Sequence, residues 1–72
     1  MTYRKHLILA TATVDAATGA WTAIAHIEFT QERTFNNVVI RSGALFKTKQ
    51  AAEKQLIKEG KEWVDTRLHK AE

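Results

Sequence analysis

The sequence predicts an α+β fold: a three-stranded antiparallel β-meander packed on one face by a single C-terminal amphipathic helix, in the order β-β-β-α. Three observations carry this. Apolar and polar residues alternate with period two along Trp21 to Gln31, as in a half-buried strand. The period changes to about 3.6 residues between Lys49 and His69, as in a helix. Short polar segments punctuate the chain at Asp15–Gly19, Gln31–Arg33 and Ser42–Gly43. With 72 residues, a single domain spanning 1–72 is the only division the chain supports.

The first strand is expected at about residues 3–14. Its Thr, Val, Ile and Leu content favours extended structure, and nothing between Tyr3 and Val14 breaks it. Asp15–Gly19 follows as a turn, with the Asp15 carboxylate capping local amides and Gly19 free to take positive φ. The second strand, 21–31, puts Trp21, Ala23, Ala25, Ile27 and Phe29 on one face, taken as inward. Thr22, Ile24, His26, Glu28 and Thr30 then point outward. Gln31–Arg33 is a short hairpin connection. The third strand, 34–41, holds Phe35 and the run Val38-Val39-Ile40.

The helix is expected at about 49–69. On a helical wheel Ala52, Trp63, Leu56, Gly60, Val64, Ile57 and Leu68 fall within about 160°. Thr48 is the natural N-cap, its hydroxyl accepting from the Ala51 amide. Gly60 lies near the centre of the apolar arc at a cost of roughly 1 kcal/mol relative to Ala, which close approach of helix backbone to sheet would explain. Arg67 intrudes on the arc and is expected to pack its stem down and keep its head in water. The expected core is Trp21, Ala23, Ala25, Ile27, Phe29, Leu56, Trp63 and Val64, with Phe46 at the helix entrance.

Composition excludes several classes of function. There is no cysteine, hence no disulfide scaffold, thiolate metal site or cysteine nucleophile, and a reducing, cytoplasmic setting is expected. No run approaches the roughly 18 apolar residues of a membrane span. The basic start Met1–His6 followed by Leu7–Ala10 has the outline of a signal peptide, but its apolar piece is short and reads better as strand. A domain this small has little room for a deep cavity, and oligomerisation is a common supplement to its stability. His6, His26 and His69 fall on three different elements without ligand spacing, so no metal site is expected. His26 and Glu28 share a strand face as two ordinary alternating polar residues. Gly19, Gly43 and Gly60 are too dispersed for a phosphate loop, and no serine triad is recognisable. The chain is therefore read as non-enzymatic, without a cofactor.

One helix covers one sheet face, so the other meets water or a partner. The first strand has apolar residues on both parities, Leu7 and Leu9 on one and Ile8, Ala10, Ala12 and Val14 on the other. Ile24 is outward on the second strand, and the third splits Val38 and Ile40 from Phe35 and Val39. Some of these side chains must point away from the helix, where a one-sided sheet would carry polar residues. Leu7, Leu9, Ile24 and His26 are the candidate partner-binding residues, and a twofold homodimer is the simplest way to cover them. The strand edges offer a second route to association. Scattered single apolar residues among Thr, His and Glu would need no such explanation.

Charge supports an alternative. Of the net +3, the first forty residues contribute nothing, and the excess lies in residues 41–72. Lys54, Lys58 and Lys61 form a stripe along the helix that, with Arg4 and Lys5, could meet nucleic-acid phosphates. Glu59, Glu62 and Asp65 flank that stripe, as in a solvated mixed-charge face, and aromatic residues for base stacking are missing beside it.

Tyr3, Asp15-x3-Gly19-x-Trp21, Phe46-x-Thr48-x3-Ala52 and Gly60-x2-Trp63-Val64-Asp65 together form an ordered pattern over most of the chain. In this pattern the chain resembles short, uncharacterised bacterial proteins of about this length that share the β-β-β-α order. It is more weakly similar to small haemolysin-activator (HlyU-type) proteins. That second likeness implies transcriptional regulation, but no DNA-reading motif here carries it. The matched positions determine a turn, a cap and a core. Related architectures lay a three-stranded sheet on DNA, which extends the nucleic-acid alternative to the open sheet face by analogy of fold.

Overall fold

The computed structural model describes residues 1–71, the side chains of 70 and 71 excepted, so Lys70 and Glu72 of the charge tally lie outside the described side chains. Four strands and one helix follow in order: β1 (Thr2–Tyr3), β2 (His6–Val14), β3 (Trp21–Gln31), β4 (Thr34–Arg41) and α1 (Lys49–Ala71). The strands form one antiparallel sheet in sequence order, and α1 packs mainly across β2 and β3. The class is α+β with one C-terminal helix. No described helix is long and apolar enough to cross a membrane.

The expected first strand, 3–14, is a correction. The chain reverses at Arg4–Lys5, so the sheet has four strands rather than three, with Thr2 opposite Leu7 and Tyr3 opposite His6. Both turn residues take positive φ, 50° and 66°, the conformation of a type I′ hairpin turn. Neither is Asn or Gly, so no local signal marks the turn. Tertiary contacts hold it instead. Arg4 Nη1 donates to the Asp65 carboxylate at 2.8 Å, and the Tyr3 hydroxyl donates to the same carboxylate at 2.9 Å. His6 Nδ1 lies 2.8 Å from the Arg4 carbonyl and donates to it in the matching tautomer.

The second and third strands match the expected 21–31 and 34–41, joined by Glu32–Arg33 at φ 50° and 67°. The turn after β2 also forms as read. Asp15 Oδ1 accepts from the Ala17 amide at 2.9 Å, and Gly19 has φ 74°. Thr48 caps α1, its hydroxyl accepting from Ala51 N–H at 3.1 Å. Phe46 reaches the helix entrance by exchanging backbone hydrogen bonds with Trp21, both at 2.8 Å.

The buried apolar core is Ile8, Ala23, Ala25, Ile27, Phe29, Ala52, Leu56 and Val64. Ile8 and Ala52 are additions to the expected set, while Trp21 and Trp63 are only partly buried against it. Gly60 explains how the layers approach. A Cβ there would stand 2.9 Å from Ile8 Cγ2, closer than side-chain carbons tolerate. Arg67 does more than snorkel: its guanidinium lies 4.3 Å from the centre of the Phe29 ring and donates to Gln31.

Candidate interaction surface

Registers decide which side chains share the uncovered face. Across β2, β3 and β4 the pairing stacks three rows: Leu7–Glu28–Asn37, Leu9–His26–Val39 and Thr11–Ile24–Arg41. Ile8, Ala25 and Ile27 are buried under α1 on the opposite face, so by strand alternation the three rows all face away from the helix. Leu7, Leu9, Ile24 and His26 are therefore brought together on one surface. Leu9 and Val39 flank His26 and are 46% and 44% exposed. Leu7 and Ile24 lie in the rows on either side, and both are half-buried.

The same face extends toward the paired hairpin turns. There Thr2, Lys5, Leu7, Glu28, Thr30 and Phe35 line a shallow depression of about 420 Å³. Phe35 is 65% exposed. Polar groups are interspersed: Asn37 Nδ2 donates weakly to Glu28 Oε1 at 3.4 Å, and the hydroxyls of Thr13 and Thr22 stand 3.3 Å apart. The surface is a mosaic in which Leu7, Leu9, Ile24 and Val39 alternate with polar and charged residues around His26.

Val39 and Phe35 belong to this surface but are absent from the four candidates. A signal for them was present. The Trp/Phe parity of β3 and a two-residue connection at Glu32–Arg33 together place Val39 opposite His26.

The basic candidates divide between two environments. Lys54, Lys58 and Lys61, with Ala51, Gln55 and Ile57, line a groove of about 550 Å³ on one flank of α1. Lys61 Nζ lies 5.5 Å from the centre of the Tyr3 ring. Lys54 and Lys58 form no ion pair among the described residues. Arg4 is instead engaged with Asp65, and Lys5 lies at the open-face depression. Asp65 lies one helical turn beyond Lys61 on α1, and Tyr3 touches both.

The Tyr3–Arg4–Asp65 cluster shifts two protonation equilibria. Hydrogen bonds from Arg4 and then Tyr3 hold the Asp65 carboxyl below the usual aspartate value. The hydrogen bond to Asp65 raises the Tyr3 phenol above its ordinary value. The histidines lie apart, with His6 buried beside Phe29 at 4.8 Å between ring centres, His26 on the open face and His69 on α1. Among the described residues no group of three or more His, Asp or Glu side chains is arranged to hold a metal ion.

Comparison of the chain with protein-family models, curated proteins and solved structures finds no match. Function is therefore argued from the surfaces themselves.

Proposed function

We propose that this protein is a small non-enzymatic interaction module that associates, with a second copy or with a protein partner, through the open face of its sheet. The observation that carries the reading is the Leu9–His26–Val39 row, with Leu7 and Ile24 beside it, on the face that α1 leaves uncovered. Leu7, Leu9, Ile24 and Val39 can lose water on contact, while His26 and the polar residues interspersed with them, Glu28, Asn37, Thr11 and Arg41, supply directional hydrogen bonds. A rigid sheet presents them without an ordering cost, which favours binding over a flexible loop.

The test is sedimentation velocity over a concentration series for the wild type, Ile24→Glu and Leu9→Glu. The reading expects an assembly step of the wild type that both variants lose, each still folded by circular dichroism. A wild type that remains monomeric at millimolar concentration, with identical behaviour in the variants, contradicts self-association through the face.

Lys54 and Lys58, which form no ion pair among the described residues, together with Lys61 favour a second reading as a nucleic-acid-binding regulator. That reading expects salt-dependent DNA affinity whose logarithmic slope falls by about one per lysine removed. No binding at low salt removes it.

A further inference from the structure

The outer edge of β4 has no strand partner among the described residues. The sheet order makes β4 an edge strand, and the two-residue turn at Glu32–Arg33 sets its hydrogen-bonding phase. Gln31 and Thr34 flank that turn and exchange backbone bonds, so even-numbered residues of β4 face β3. The Ser42 amide continues the phase by donating to the Ala23 carbonyl at 3.5 Å. The N–H and C=O groups of Phe35, Asn37, Val39 and Arg41 therefore point outward, and none has a backbone partner among the described residues.

This edge carries few of the usual protections. It has no proline, no lysine and no bulge in its pairing with β3. The helix side of β4 is also incompletely covered. Lys61 and Asp65 turn one flank of α1 toward Tyr3 on β1, so the opposite flank, bearing Trp63, lies toward β4. Val38, Ile40 and Trp63 are left half-buried there.

We propose that β4 is a dimerisation strand: two copies pair antiparallel about a twofold axis at Val38, fusing their sheets into one of double width. The register follows from the strand itself. Setting Val38 opposite Val38 of the second copy puts Phe35 opposite Arg41 and Asn37 opposite Val39. All four outward-facing residues of each copy then find partners, with about eight backbone hydrogen bonds. Sliding the pairing by two residues leaves an outward residue beyond the ladder. In the centred register the Arg41 guanidinium lies beside the Phe35 ring on the open face. On the helix side Val38, Ile40 and Trp63 of both copies meet across the axis and complete their burial.

A second copy is favoured over a foreign strand because the edge is complementary to itself in sequence and in phase. The pairing is isologous and closes at two subunits, whereas β4 pairing with the other free edge, Ala10–Val14 of β2, would propagate. It uses backbone groups at the edge rather than side chains of the open face, so it and the proposed function can fail separately.

The chain contains no cysteine, which permits a clean test with single thiols. Val38→Cys places two sulfurs across a non-hydrogen-bonded pair, within disulfide reach. Asn36→Cys, on the same face of β4, puts them far apart. Under mild oxidation Val38→Cys is expected to form a covalent dimer at least roughly tenfold faster than Asn36→Cys. In the wild type, amide exchange at Phe35, Asn37, Val39 and Arg41 is expected to slow by roughly tenfold or more from micromolar to millimolar protein. Leu9→Glu, on the open face but distant from the edge, should preserve both results even if it abolishes binding through that face. Equal cross-linking of the two cysteine variants overturns the register. Exchange that does not change with concentration overturns edge pairing itself.

Discussion

Replacing Gly60 by alanine tests how closely α1 approaches the sheet. In an ordinary helix interior, Gly→Ala stabilises by about 1 kcal/mol. Here the added Cβ would meet Ile8 Cγ2 at 2.9 Å and Ile8 Cδ1 at 3.4 Å. Ile8 is fully buried and β-branched, so Cγ2 cannot retreat without rotating χ1 or shifting β2. Overpacking of this kind costs about 1–3 kcal/mol, which outweighs the propensity gain. The net expectation is destabilisation by about 1 kcal/mol, seen as a fall of roughly 4–8 °C in Tm for a domain of this size. The sign should reverse when the obstacle is removed. In an Ile8→Ala background, Gly60→Ala should stabilise by about 1 kcal/mol, a coupling of about 2 kcal/mol between the two sites. Urea unfolding followed by tryptophan fluorescence and by circular dichroism reads both arms of the cycle. Stabilisation of the wild type by Gly60→Ala, or additive effects of the two substitutions, would refute the close approach.

Two further expectations concern the hairpin end. Lys5 and Arg33 hold positive φ at 66° and 67°, where a non-glycine residue costs about 1–2 kcal/mol against roughly 0.5–1 kcal/mol of extra unfolded-state entropy for glycine. Lys5→Gly and Arg33→Gly should therefore each raise stability by about 0.5–1 kcal/mol in urea unfolding, and a loss at both sites contradicts the turn assignment. The Tyr3–Arg4–Asp65 cluster should show a pH window. Asp65 titrates lower in the folded chain than in the unfolded one, so its contribution is present above the ordinary aspartate value and is lost as pH falls through the lowered one. Tyr3 titrates higher when folded, so its contribution is complete below the ordinary phenol value and is lost as pH rises through the raised one. Asp65→Asn should flatten the acid limb of the stability profile relative to the wild type, and an unchanged limb contradicts the cluster's role.

The elements legible in the sequence are those whose local chemistry and periodicity agree. β3 alternates cleanly, the Asp15–Gly19 turn has residues suited to it, and α1 has a cap at Thr48 and an apolar arc centred on Gly60. The Arg4–Lys5 turn was illegible because two charged residues occupy a conformation that Asn-Gly would announce. Its support comes from Asp65, far along the chain, which no local window contains. The same reversal hid Ile8. With apolar residues on both parities of the segment, pattern alone could not decide that Ile8 enters the core while Leu7 and Leu9 face out. The open face was legible as a consequence of one helix covering one face, and four of its members were legible too, but its full membership depends on strand register. Val39 joins His26 only once the β3–β4 register is fixed, and Phe35 joins the far end through the same register. A stripe on a helical wheel gives no sign that Asp65 of the helix will engage Arg4 of the first turn.

The claim that the uncovered sheet face is a contact surface is tested most directly by methyl NMR with a soluble neutral nitroxide. The methyl groups of Leu9, Ile24 and Val39 should be strongly broadened in dilute protein, with those of Ile8 and Leu56 spared. At millimolar concentration the three open-face residues should become protected while Ala51, on the solvent side of α1, stays broadened. Equal broadening of Leu9, Ile24 and Val39 at both concentrations, with the protein sedimenting as a monomer, would contradict self-association through this face.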